Sequence, residues 1–190
     1  MSLLLHVFDT ATNSWVAATS DLINSVKAVG YQKGVSANFT RPADTTAYAA
    51  QDVVSNSTTA PSLLTFSGAG RVNGGSGVIL SARHLKSGTT TTGATFRLHL
   101  YTVNTVSLIN DNAPHAMLYA SRASRVGFID FTHGVAGTGS DCTNALATFV
   151  NLPYVCDAAT TALYGRLVVT SAYTPTSGEQ HFIELGVVQN

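Results

Sequence analysis

The sequence predicts an all-β protein, an antiparallel β-sandwich or jelly roll of about eight strands with an N-terminal arm. Three observations predict it. Runs with two-residue alternation recur, as in Ala94-Thr95-Phe96-Arg97-Leu98-His99-Leu100-Tyr101-Thr102-Val103. Turns rich in Gly, Thr, Asn and Pro separate these runs. The helical patterns that βαβ units place between strands are missing.

Each element has its own warrant. Residues 1–33 form the arm, and residues 34–190 the sandwich domain. Within the arm, Ser20 to Gly30 has the makings of a short helix. Ser20 or Asp21 would cap it, Leu22, Val26 and Val29 would share a face, and Gly30 would end it. Trp15, the only tryptophan, stands just before. From Gly34, Val35, Ala37 and Phe39 alternate with Ser36, Asn38 and Thr40 until Pro42 denies the ladder a donor. Tyr48 to Val54 reads as a short edge strand and Ser62 to Phe66 as a short buried one. The run Val78 to Lys86 and the run Ala94 to Val103 flank a Gly/Thr loop, which predicts a hairpin. In the second run Phe96, Leu98 and Leu100 face a core, while Arg97, His99 and Tyr101 face the other way. His115 to Ser124, after Pro114, suits one or two helical turns or a strand. Val126 to Phe131, Leu163 to Ala172 and Glu179 to Val188 are further strands, and Thr132 to Ser140 is an exposed loop.

Composition excludes several function classes. Only 11% of residues are charged, against roughly 25% in ordinary domains. Ser, Thr, Asn and Gly take their place. Such a surface has few charges to desolvate and suits packing against neighbours. Ten basic and ten acidic residues cancel, and the basic ones are scattered, so the footprint of a nucleic-acid binder is missing. No run approaches the ~20 apolar residues of a membrane span, and the first residues make a poor signal peptide. The expectation is synthesis in the cytoplasm without secretion. Two cysteines, Cys142 and Cys156, are expected as free, partly buried thiols, because disulfide-built folds carry more cysteines in shorter chains.

No catalytic or metal-binding motif emerges. The six histidines, His6, His84, His99, His115, His133 and His181, form no His-x-His or His-Glu-x-x-His pair. Across the expected hairpin His84 would lie near His99, as solvent-facing or interface residues. Ser76 lacks the surroundings of a nucleophile elbow. Glu179 and Glu184 would point to opposite faces, a poor acid–base pair. The expectation is a non-enzymatic protein without cofactor.

Three segments resemble a group of small proteins of tailed bacteriophages. They are Phe39-Thr40-Arg41-Pro42-Ala43-Asp44-Thr45-Thr46-Ala47-Tyr48, then Phe96 to Tyr101 with Asn110-Asp111-Asn112-Ala113-Pro114, and Tyr173-Thr174-Pro175 with Phe182 to Leu185. The resemblance covers roughly residues 35–190. It implies a virion protein, chiefly a head decoration (cement) protein that binds the major capsid protein as a homo-oligomer, a trimer by preference. The alternative is a host-recognition module that binds glycans on a fibre or tail. Candidate interface residues are Trp15, Leu22 and Val26 of the arm, with Arg41, Tyr48, Tyr101, Tyr119, Arg122 and Tyr173 of the domain.

Overall fold

The computed structural model describes residues 31–190 with their side chains and the backbone strands at 6–9 and 14–17. Those strands, β1 (His6–Asp9) and β2 (Ser14–Ala17), pair antiparallel and set Trp15 opposite Phe8. Leu22, Val26 and the expected arm helix lie outside the described residues.

Alternation becomes register in the domain. In β3 (Tyr31–Thr40) Val35 and Ala37 are buried between exposed Ser36 and Asn38, and the strand stops short of Pro42. Two short strands follow, β4 (Val53–Val54) and β5 (Leu64–Phe66). Next come β6 (Ser76–Ser87) and β7 (Thr95–Tyr101). A 3-10 helix (Tyr119–Ser124) resolves the ambiguous stretch after Pro114. The remaining strands are β8 (Arg125–Thr132), β9 (Cys142–Val155), β10 (Leu163–Val169) and β11 (Gln180–Gln189).

Two antiparallel sheets result. Sheet I has the order β3-β11-β6-β9. Sheet II runs β4-β10-β7-β8, with β5 also on β10. Except for β4–β5 and β7–β8, successive strands of the domain change sheets. That is the jelly-roll arrangement, and it makes the domain an all-β sandwich as its sequence predicts. The inner faces meet in one core. Phe96, Leu98 and Leu100 of β7 join Ile79, Leu167 and Ile183 there, all buried.

Two expectations need correction. β6 and β7 form no hairpin: β6 pairs with β11 and β9, and β7 with β10 and β8, so they belong to opposite sheets. His84 and His99 are neither paired nor solvent-facing; both are buried. The longest strand, β9, has no clean alternation because of a bulge. Ile79 and Ser81 of β6 face Leu152 and Thr148, and the extra residues swing out with Phe149 at φ 57° and Asn151 at φ 47°.

Candidate functional site

One end of the sandwich is filled by polar side chains instead of hydrocarbon. His84 on β6 and His181 on β11 lie in phase with inward-facing Ala82 and Ile183, so register carries both rings inside. His133 follows β8 and turns in to meet them. The three rings form a chain, with His133 Nε2 3.0 Å from His84 Nδ1 and His84 Nε2 3.0 Å from His181 Nδ1. Thr143 of β9 closes one end, its Oγ1 3.0 Å from His133 Nδ1. At the other end His181 Nε2 faces Glu179 Oε1 at 3.4 Å. The hydroxyl of Tyr173 donates to the Glu179 carboxylate at 2.6 and 2.8 Å, and Lys86 Nζ lies 3.4 Å from it.

The carboxylate sets the polarity of this relay. His181 Nε2 makes no hydrogen bond, but 3.4 Å from that negative charge a proton is favoured there over a lone pair, which leaves Nδ1 to accept from His84. The same tautomer then propagates to His84 and His133, and Thr143 donates to the last free nitrogen. Burial holds all three imidazoles neutral. It pushes His133 down to about 4 and His181 down to about 3, and His84 lies well below the ordinary range. Burial also lowers Lys86, against the pull of Glu179, and raises the Tyr173 phenol.

A second network adjoins it. Arg41, just past β3, donates through Nε to Tyr48 Oη at 2.9 Å and lies 3.4 Å from Asp111 Oδ2. Tyr48 donates to Asp111 Oδ1 at 2.7 Å, and the Ser55 N–H donates to the same oxygen at 2.8 Å. Asp44 pairs with Arg41 at 3.0 Å from a more exposed position. Burial outweighs these bonds at Asp111 and raises its carboxyl. At Arg41 burial is outweighed by the hydrogen bonds of Tyr48 and Asp44, which hold the guanidinium charged. The rings of Tyr48 and Tyr173 stack at 6.4 Å and join the two networks.

The expected interface residues divide accordingly. Arg41, Tyr48, Tyr101 and Tyr173 are buried inside their own chain and offer a partner no surface. The physical reason is that each polar end is spent internally or covered by a neighbouring segment. Tyr119 and Arg122 remain exposed, with the guanidinium 4.5 Å from the ring centroid. Cys142 is exposed and Cys156 buried, and both are free. Sequence reasoning missed the relay because its histidines share no local spacing. A signal was available: His181 is in phase with Ile183, Leu185 and Val187, the buried row of β11.

Among the described residues, no three His, Cys, Asp or Glu side chains are placed to hold a metal ion. In the relay each inner nitrogen is spent on a neighbouring ring.

No family model matches the sequence, and no curated protein matches it. Solved structures similar to this chain include three from viruses. A chain of the cyanophage Pam1 capsid asymmetric unit has 11% identity and a TM-score of 0.32, covering 95% of this chain and 96% of that one. One from Desmodium yellow mottle tymovirus has 12% identity and a TM-score of 0.28, over 84% and 86% of the two chains. One from black queen cell virus has 10% identity and a TM-score of 0.26, over 100% and 83%. Likeness this slight carries no argument; the fold rests on its own sheet order.

Proposed function

We propose that this chain is a structural protein of a virus particle. More narrowly, it is a decoration or cement protein of a tailed-bacteriophage head that binds the major capsid protein and stabilises the assembled shell. Jelly rolls serve capsids, lectins and cupins alike, so the fold alone does not choose. The observation that carries the reading is the set of exposed apolar side chains along β9, the edge strand of sheet I. Phe149 is 89% exposed, Leu146 64% and Val155 61%. Several large apolar groups left exposed along one edge strand suit a surface that another protein covers.

The low charge density and the phage-like segments support the same reading. The bulge and Pro153 blunt the β9 edge against strand addition, so side chains make the contact. The shell-bound form is a homo-oligomer, a trimer at a symmetry axis. A glycan-binding module would use exposed aromatic platforms, and of Tyr101, Tyr119 and Tyr173 only Tyr119 is exposed. The test is to image heads assembled with and without the protein and to challenge both with heat and osmotic shock. Bound density and greater resistance are expected. Heads that lose neither density nor resistance in its absence sink the reading.

A further inference from the structure

The 3-10 helix on the sheet II side of the sandwich has no interior face. None of its residues, Tyr119–Ser124, is buried, and the run Ala116-Met117-Leu118-Tyr119-Ala120 is exposed throughout, Tyr119 by 81%. An uninterrupted exposed apolar run favours association. The helix is anchored to sheet II, because the Thr102 N–H just past β7 donates to the Ser124 carbonyl at 2.8 Å. Residues i and i+3 eclipse on a 3-10 helix, so Tyr119 and Arg122 share one face. Arg122 lies over the Tyr119 ring, and its Nη1 donates to the Tyr119 carbonyl at 3.3 Å. The two side chains form a preset aromatic and cationic pair on a convex knob. No acidic residue lies between Asp111 and Asp130 in the chain to neutralise it.

A groove of complementary character lies on the other layer. It runs over the outer face of sheet I and has a volume of ≈ 440 Å³, room for large side chains. Its floor is a row of directly paired residues, Asn38 of β3, Phe182 of β11 and Leu85 of β6. Phe182 and Leu85 are only half-buried, so apolar surface stays open between polar Asn38 and Gln180. Asp141 and the exposed thiol of Cys142 close the β9 end. Among the described residues, no cation pairs with Asp141 and no carboxylate pairs with Arg122. Knob and groove each carry the charge that the other lacks.

We infer that the Tyr119–Arg122 knob of one chain docks in the Phe182–Leu85 groove of a second copy, with Arg122 facing Asp141 of the partner subunit. Tyr119 supplies a rigid amphipathic anchor, and the ion pair fixes its orientation. With knob and groove on opposite layers the contact is head-to-tail, and rotation closes such contacts into a ring in which every chain gives one knob and one groove. The trimer proposed above is one such ring, and the inference rests on the homo-oligomeric part of that reading. Val155 and the bulge with Phe149 lie toward the Ser76 end of β6, away from Cys142 opposite Ser87, which leaves them for the shell.

The test is sedimentation velocity of the full chain over a concentration series, with the alkylation rate of Cys142 followed in the same samples and buried Cys156 as internal reference. Association is expected as concentration rises, and Cys142 should react several-fold more slowly once the knob covers it. Tyr119→Ser should weaken association roughly thirtyfold or more. Arg122→Asp should weaken it at least about tenfold, and Arg122→Asp combined with Asp141→Arg should restore it. All three side chains are exposed, so the variants keep the fold, which unchanged thermal midpoints verify. A chain that stays monomeric throughout overturns the inference. An oligomer whose Cys142 reacts as fast as the monomer's, or that the charge swap does not restore, also overturns it, and the homo-oligomer then uses another surface. Failure to bind heads, with this association intact, sinks the virion reading and leaves the contact standing.

Discussion

Replacing Asp111 by alanine is expected to destabilise the protein by about 3 kcal/mol, the lower end of the cost of stranding one member of a buried ion pair. The side chains of Arg41 and Asp111 are 0% and 1% exposed and lie 3.4 Å apart. The substitution takes the nearest buried counter-charge from Arg41, and it leaves the Tyr48 hydroxyl and the Ser55 N–H without their acceptor. Asp44 stays at 3.0 Å, but its side chain is 38% exposed, so it compensates only in part. At about 2–4 °C per kcal/mol for a domain of this size, the midpoint should fall by roughly 6–12 °C. Asp44→Ala is the control and should cost under about 1 kcal/mol, because solvent already screens that pair. Urea and thermal unfolding, followed by circular dichroism, measure both. If Asp111→Ala lies within about 1 kcal/mol of the unaltered protein, or Asp44→Ala costs more than it does, the second network is not the stabilising unit described.

Acid should unfold the protein early. His99, His133 and His181 have values of about 3, about 4 and about 3 in the folded chain, below the ordinary 6.5. The unfolded chain therefore binds more protons below that ordinary value. Stability is complete above it and falls as pH drops toward 4, each neutral histidine withdrawing about 1.4 kcal/mol per pH unit. Denaturant midpoints that do not change between about pH 7 and about pH 4 would contradict this. Gly93→Ala should cost roughly 1–3 kcal/mol or more, because Gly93 has φ 72° and a Cβ there would collide with the Ala172 carbonyl; a midpoint unchanged in urea would refute it. Phe149→Asn should leave the free chain as stable or slightly more so, since asparagine tolerates the positive φ better than an aromatic. The same variant should bind heads more weakly in a sedimentation assay, and undiminished binding would remove Phe149 from the contact.

Local chemistry made the fold class legible, and long-range register hid the rest. The β7 pattern needs only its own residues to show a buried row of Phe96, Leu98 and Leu100. The partner of β7 is another matter. The loop between β6 and β7 has glycines at positive φ, Gly88 and Gly93, as a hairpin loop would. Only the claims of β11 and β9 on β6 show that the chain crosses to the other sheet. In β9 the left-handed Phe149 and Asn151 reset the alternation, so a strand that is continuous in space has no single period in sequence. The polar interior was hidden for a related reason. Thr143, His133, His84 and His181 come from four separate parts of the chain, and His84 and His181 are 97 positions apart. Arg41, Tyr48 and Tyr173 have polar ends that suggest a surface, yet each finds its partner within the fold.

The relay also limits how many protons this end of the sandwich can take up. Three rings joined by two shared hydrogens have two outer nitrogens, and in the neutral chain only the one facing Glu179 carries a proton. A first added proton settles on His133 Nδ1, the Thr143 hydroxyl rotates from donor to acceptor, and every link survives. A second has no outer nitrogen left. It must set two N–H groups head to head across a 3.0 Å gap and part β6 from either β11 or the loop that carries His133. Acid should therefore meet a counted threshold here, with one proton absorbed by rearrangement and the next paid for in structure.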